Sequence, residues 1–164
     1  HTKNRLFDTY INAGLECGYP YTDDANGYQQ EGFGPMDSTI YNGSRWSTSS
    51  AYIDPVKHRD NLNIRCNSIV NKIIIDGKKA IGVELEDGQK LFCNKEVILS
   101  GGAINSPQLL MLSGIGKEED LGKHNIDVIQ ELPVGDNLQD HVEVYLQYEC
   151  RNPITLKDVI IFLI

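Results

Sequence analysis

Apolar positions near the amino end of the chain recur at helical intervals. Leu6, Tyr10 and Ile11 fall on one face of a predicted amphipathic helix over residues 4–17. Gly18 stands where such a helix would end, because glycine readily takes the left-handed conformation of a helix terminus. Residues 19–45 keep no regular period and are rich in Gly, Asp and Asn, so we expect a long ordered loop there.

The middle of the chain has the composition and turn signals of β-structure. A short helix at residues 47–52, closed by Asp54-Pro55, precedes it. Strands are predicted at residues 61–65, 68–75, 80–86 and 90–93. The steps Asp76-Gly77 and Asp87-Gly88 indicate tight hairpin turns, because both central positions of such turns favour residues that tolerate positive φ. The prediction is an antiparallel meander.

A continuous apolar run at residues 97–100 predicts a different kind of strand, buried on both faces as in a parallel sheet. Gly101 and Gly102 follow it and allow positive φ or close approach of a ligand. Ser106 is then a candidate N-cap and Pro107 a candidate first helical residue, so a helix is expected over residues 108–112. Such a helix start favours a diphosphate. A tight strand-to-helix turn without a ligand is the alternative.

The last third of the chain gives weaker patterns. A short helix at residues 118–124, interrupted by Gly122, and a short strand at residues 126–130 are predicted. Residues 142–150 alternate between apolar and polar side chains, which predicts a half-buried antiparallel strand that begins another domain.

Composition excludes several classes of function. The 164 residues carry a net charge of −8, which argues against nucleic acid as a partner. The four cysteines form no Cys-x-x-Cys pair, so neither a zinc site nor a disulfide framework is indicated. No apolar run reaches the roughly 18 residues that span a bilayer. The chain begins with His1 and ends in an apolar run, from which we expect a fragment of a longer protein.

Three stretches together resemble one enzyme family. GAINSPQLLMLSGIG at residues 102–116 fits the second signature of the glucose-methanol-choline (GMC) flavin oxidoreductases at all fifteen positions. VGDNLQDH at residues 134–141 and GSRWS at residues 43–47 are similar to further family segments in the same order. The resemblance implies a mixed α/β (α+β) fold, with part of a two-dinucleotide-type FAD-binding domain, a β-meander and the start of an antiparallel substrate-domain sheet.

The resemblance also implies domains and cofactor contacts. Residues 1–141 would be a partial FAD-binding domain with loop insertions, and residues 142–164 the start of a substrate-binding domain. Val70 would meet the adenine through its backbone. The turn after the predicted buried strand would lie against the ADP half of FAD. The residues of that turn are Ser100, Gly101, Gly102 and Ala103.

The implied reaction is oxidation of a small-molecule alcohol, in which a hydride passes from carbon to the flavin. Choline is the first candidate substrate, and another alcohol is the alternative. The resemblance implies a mitochondrial address in a eukaryotic source, and leaves open membrane association of the parent protein and its oligomeric state. A truncated, non-catalytic chain or interaction module is the rival interpretation.

The family's amino-terminal GxGxxG and carboxy-terminal catalytic His have no counterpart in this sequence. No catalytic residue and no metal ligand is therefore assigned. His141 follows Asp140, a carboxylate that would orient an imidazole. Because side chains of adjacent residues rarely face each other, packing in a loop is the favoured interpretation of His141.

Overall fold

The computed structural model describes residues 4–152. These residues divide into two compact units, one formed by residues 4–62 with 144–152 and the other by residues 63–143. In chain order the elements are α1 (Arg5–Glu16), β1 (Ile40–Tyr41), β2 (Ser44–Arg45), a π-helical turn (Ser49–Ile53), β3 (Val70–Asp76), β4 (Lys79–Leu85), β5 (Lys90–Phe92), α2 (Gly102–Leu112) and α3 (Glu118–Gly122).

The first unit begins with the predicted amphipathic helix. Asn4 caps α1 by accepting a hydrogen bond from the amide of Leu6 at 2.9 Å, and Gly18 follows its end with φ +86°. The ring of Phe33 covers Gly14, where an added Cβ would overlap it. Tyr10 contributes a ring centroid 5.2 Å from that of Phe33. The absence of a side chain at Gly14 thus lets the loop pack on the helix.

The predicted long loop is confirmed, and its main chain is held by specific hydrogen bonds. The amide of Thr22 donates to the carbonyl of Phe33 at 3.0 Å, and the amide of Phe33 donates to that of Pro20 at 2.8 Å. The buried hydroxyl of Thr22 donates to the carbonyl of Gln29 at 2.7 Å. These bonds order a loop that has little regular secondary structure.

A small hairpin ends the loop where sequence analysis predicted none. Strands β1 and β2 pair through Asn42 and Gly43, whose φ angles are +49° and +76°. An Asn-Gly step is a strong hairpin signal, and it is present in the sequence. The helix predicted at residues 47–52 is confirmed in position, although its hydrogen bonding is π-helical, with the amide of Asp54 donating to the carbonyl of Ser49 at 2.9 Å.

The second unit is built on the predicted meander. Strands β3, β4 and β5 form one antiparallel sheet in that order. Gly77 and Gly88 take φ +59° and +82° in the two turns, as the Asp-Gly steps predicted. Ile73 and Leu85 are buried in this sheet, and α2 packs against β3. The predicted mixed fold, with helices and antiparallel strands, is confirmed.

Two predicted strands in the middle of the chain are not strands in the structure. Residues 61–65 lie outside both sheets, and Leu62 and Ile64 are 38% and 48% exposed. Residues 97–100 belong to no strand, and Ile98 is 76% exposed. The prediction of a strand buried on both faces was therefore wrong here. A parallel strand needs a hydrogen-bonded neighbour reached by a crossover, and residues 4–152 place none beside this segment.

The alternating segment at residues 142–150 is also not a strand. Apolar Val142 and Val144 are 99% and 81% exposed, and Tyr148 is 87% exposed. Alternation marks one face for burial only when a neighbouring strand or layer covers it, and no sheet within the described residues does so. The expected start of an antiparallel substrate-domain sheet is thus not seen in residues 142–152. Residues 153–164 lie outside the described residues, and the domain division at residue 141 stays a prediction.

The signature helix starts earlier than predicted. Helix α2 begins at Gly102 after an N-cap at Gly101, so Ser106 is not the N-cap and Pro107 lies inside the helix. Helix α3 confirms the short helix predicted near residue 118. The predicted strand at residues 126–130 is reduced to one parallel bridge between Ile115 and Gln130. None of the helices within residues 4–152 has the length and apolar content needed to cross a membrane.

Candidate functional site

A cavity of about 520 Å³ lies in the second unit, beside the start of β3 and the amino end of α2. Three of the five predicted cofactor residues line it, namely Val70, Ser100 and Gly101. Its apolar lining comes from Ile69, Val83, Val97, Ile98, Leu99, Leu109 and Leu112. The volume falls in the range of roughly 300–1,000 Å³ that is common for small-molecule sites.

The backbone of Val70 points away from its partner strand. Val70 lies opposite Leu85, and the amide of Glu86 donates to the carbonyl of Ile69 at 2.9 Å. That bond marks Val70 and Leu85 as a non-hydrogen-bonded pair, whose own amides and carbonyls face outward. Because β3 is an edge strand, the polar main-chain atoms of Val70 lie on the free edge of the sheet.

The glycine turn forms the other end of the cavity. The hydroxyl of Ser106 accepts a hydrogen bond from the amide of Gly101 at 2.9 Å, which holds the turn against the first turns of α2. A Cβ added at Gly101 would lie 3.2 Å from both the Cβ of Asn105 and the amide nitrogen of Ser106. Ser106 therefore fixes the turn from within the helix.

The other two predicted residues lie differently. Gly102 takes φ +84°, with no atom within 4 Å of the position of a Cβ, and it is not among the residues that line the cavity. Ala103 and Pro107 line a second cavity of about 810 Å³ on α2, together with Met111. The structure thus brings three predicted residues together and directs Ala103 to another face of the helix.

The closing part of the signature has a structural role that sequence analysis did not identify. Gly114 takes φ +81°, and an added Cβ would lie 2.6 Å from the carbonyl oxygen of Asp127. Its own carbonyl accepts the amide of Ile129 at 2.8 Å. Gly116 donates its amide to the carbonyl of Gln130 at 3.1 Å. These glycines let the segment after α3 approach the end of α2.

Acid-base and metal chemistry find little support in the described part of the chain. Asp140 accepts the main-chain amide of His141 at 2.8 Å, so the bond does not orient the imidazole. Within residues 4–152 no group of His, Cys, Asp or Glu side chains is arranged to hold a metal ion. The ammonium group of Lys117 donates a hydrogen bond to the carboxylate of Asp136 at 2.7 Å, and this bond raises the pKa of Lys117. The same bond fixes the loop at residue 136 to the start of α3.

Residues 1–143 match the family model described as GMC oxidoreductase. The chain belongs to the GMC oxidoreductase family. The predicted family is confirmed, and the segments that carried the resemblance lie within the matched region. GMC proteins and the solved structures that resemble this chain are FAD-dependent.

Two curated GMC relatives are choline dehydrogenases. The chain is 53% identical over 159 residues to the mitochondrial choline dehydrogenase of Mus musculus. This alignment covers 94% of the chain and 27% of the mouse protein. It is also 53% identical over 160 residues to an oxygen-dependent choline dehydrogenase of Escherichia coli. That alignment covers 93% of the chain and 29% of the bacterial protein. The chain thus spans less than a third of the length of these relatives.

A solved GMC structure has the same arrangement of elements. An FAD-dependent oxidoreductase from Chaetomium thermophilum matches with a TM-score of 0.67 at 30% identity, over 77% of this chain and 23% of that one. The match covers 77% of this chain, so most of its fold is shared with that protein.

Proposed function

We propose that this chain supplies part of the FAD site of an alcohol oxidoreductase, with choline as the substrate of the whole protein. The observation that carries the proposal is the convergence of the Val70 backbone and the Gly101 turn on one cavity. The identity to choline dehydrogenases supports the choice of choline over another alcohol. A mitochondrial location, as in the mouse relative, is proposed for a eukaryotic source only.

The cavity fits the adenine part of the cofactor by its chemistry. Apolar side chains provide surfaces for a planar base, and the outward amide and carbonyl of Val70 offer a donor and an acceptor to its polar edge. Ser100 and Gly101 lie at the end of the cavity near the first amides of α2, which favour the diphosphate. Gly102 and Ala103 are proposed to continue this contact along the helix start.

FAD bound here would accept a hydride from the alcohol carbon. The residues of this chain bind the ADP half of the cofactor and hold its position. The hydrogen bond between Asp140 and His141 uses the main-chain amide and not the imidazole, so proton transfer is assigned to no residue of this chain. The rival interpretation, an interaction module without catalysis, predicts that FAD does not bind.

The test is retention of FAD by the full-length protein after incubation and desalting, read from the visible flavin absorption. The decisive variant is Val70→Pro, which removes the outward amide but no ladder bond, because proline is tolerated where the amide of an edge strand faces away from the sheet. Val70→Ala keeps the main-chain amide and is the matched control.

We expect Val70→Pro to weaken FAD binding by about tenfold or more, the loss of roughly one good hydrogen bond in a buried site. Val70→Ala should stay within about threefold of the parent protein. A parent protein that retains no flavin would contradict the proposed function. Equal loss of FAD in both variants would instead show that the side chain, and not the backbone, makes the contact.

A further inference from the structure

The strand and the helix that border the FAD cavity are joined by one buried hydroxyl group. Ser113 is 5% exposed. Its Oγ accepts a hydrogen bond from the amide of Ile73 at 2.8 Å and donates one to the carbonyl of Leu109 at 2.6 Å. The two partners belong to β3 and α2, and Ser113 and Ile73 are 40 residues apart in sequence.

The bond from Ile73 satisfies a group that the secondary structure leaves free. Ile73 is 7% exposed and lies on the edge strand, so its outward amide has no neighbouring strand in the sheet to accept it. The carbonyl of Leu109 already accepts the main-chain amide of Ser113 at 3.2 Å, and the hydroxyl of Ser113 adds a second, shorter bond to it. Leaving a buried amide unpaired costs roughly as much as a whole hydrogen bond, so Ser113 strongly favours one position of α2 on β3.

That position sets the width of the cavity. Val70 lies three residues before Ile73 on the same strand, and Leu109 lines the cavity from the helix. Gly101 begins the helix that Ser113 ends. Ser113 does not line the cavity, so any effect it has on a ligand must act through these residues.

We propose that Ser113 is a positioning residue for the ADP half of FAD, holding the Val70 edge and the Gly101 turn at the separation that the cofactor requires. The proposal rests on the proposed function. It assigns to Ser113, the second serine of the signature, a role that Gly114 and Gly116, which contact the segment at residues 127–130, do not share.

The experiment compares Ser113→Ala with Thr22→Val in the full-length holoenzyme. Both changes delete a buried hydroxyl, which makes hydrogen bonds of 2.6 and 2.8 Å in Ser113 and one of 2.7 Å in Thr22, but Thr22 lies in the first unit. The dissociation constant of FAD and the urea midpoint of the apoprotein are measured for each. We expect Ser113→Ala to raise the FAD dissociation constant about tenfold, and Thr22→Val to leave it within about twofold at a similar loss of stability.

A second variant keeps the test decisive if Ser113→Ala does not fold. Ser113→Thr retains the hydroxyl and should recover FAD binding to within about threefold, whereas Ser113→Cys, a weak donor and acceptor, should not. Equal FAD affinity in Ser113→Cys and the parent, or in Ser113→Ala with only the urea midpoint lowered, would overturn the positioning role. A parent protein that binds no FAD would overturn the proposed function and this inference together.

Discussion

The meander and the segment at residues 97–100 border the same cavity, yet they are held in different ways. Strands β3 and β4 are joined by a tight turn and pair along their length. The segment at residues 97–100 has a more apolar sequence but joins no ladder, and Ile98 is 76% exposed whereas Leu85 is 4% exposed. Apolar character alone therefore does not decide which of the two regions is a strand.

The difference lies in where each region finds its partner. An antiparallel partner is reached through a turn of two residues, so the turn and the strands specify each other. A parallel partner is reached only through a crossover of a dozen or more residues. The meander is thus determined by its own sequence, and residues 97–100 depend on chain segments far away in sequence.

The largest expected effect comes from deleting one buried side chain in each region. In the 164-residue chain, Leu85→Ala should lower the free energy of unfolding by about 2–5 kcal/mol, because it leaves a cavity in the sheet core. Ile98→Ala removes atoms that are already in contact with water and should change it by less than about 0.5 kcal/mol. Urea unfolding followed by far-ultraviolet circular dichroism measures both.

The contrast between these two variants is itself the control. If Ile98→Ala proves as costly as Leu85→Ala, residues 97–100 are buried in a strand in solution, and the comparison between the two regions fails. If both variants are neutral, the sheet around Leu85 contributes little to the stability of the chain.

Local signals predicted the local structure. The Asp-Gly steps identified both turns of the meander. Asn4 and Gly18 mark the two ends of α1, as its pattern predicted. The hairpin at Asn42-Gly43 carries the same kind of signal, so it was open to prediction and was missed. What the sequence did not reveal is long-range: the exposure of residues 142–150 depends on a covering layer, which no local pattern encodes.

The candidate site likewise contains residues that could be predicted from the sequence and one whose role could not. Val70, Ser100 and Gly101 were predicted from the resemblance, and the structure brings them to one cavity. Whether they contact FAD stays a prediction. The role of Ser113 was not predicted, because its contact with Ile73 joins residues 40 positions apart. A buried serine near a helix end, bonded to the carbonyl one turn earlier, gives no sign in the sequence of which strand lies beside it.

A smaller effect tests whether the turns specify the meander. Gly88→Ala should cost about 1–2 kcal/mol, because φ of +82° is unfavourable for a residue with a Cβ even though no atom lies within 4 Å. Gly122→Ala, equally free of neighbours but in α3, should be neutral or stabilising by up to about 1 kcal/mol. Thermal unfolding compares the two, and equal effects would show that the turn conformation does not limit the meander.

The smallest expected effect concerns the two ion pairs near α3, Lys117–Asp136 and Lys123–Asp120. These pairs connect their side chains by charge, whereas the strands of the meander are connected by main-chain hydrogen bonds. Hydrogen bonding to Asp136 raises the pKa of Lys117 above 10.5, and hydrogen bonding to Lys123 lowers the pKa of Asp120 below 3.8. A raised lysine pKa stabilises the fold below 10.5, and this contribution is lost as the pH rises through the folded-state value. A lowered aspartate pKa stabilises the fold above 3.8, and this contribution is lost as the pH falls through the folded-state value.

Substitution separates the two ion pairs. Asp136→Asn should return the pKa of Lys117 toward its ordinary value while leaving that of Asp120 lowered, as followed by NMR titration of the two side chains. Because the side chains of both pairs are between about one third and two thirds exposed, the accompanying change in unfolding temperature should be small, and smaller still in high salt. A large loss of stability in Asp136→Asn would mean that the loop at residue 136 is held through Lys117 as firmly as the meander is held by its ladder. Ion pairs would then have to be counted, together with local turns and distant packing contacts, among the interactions that fix the position of a segment in this chain.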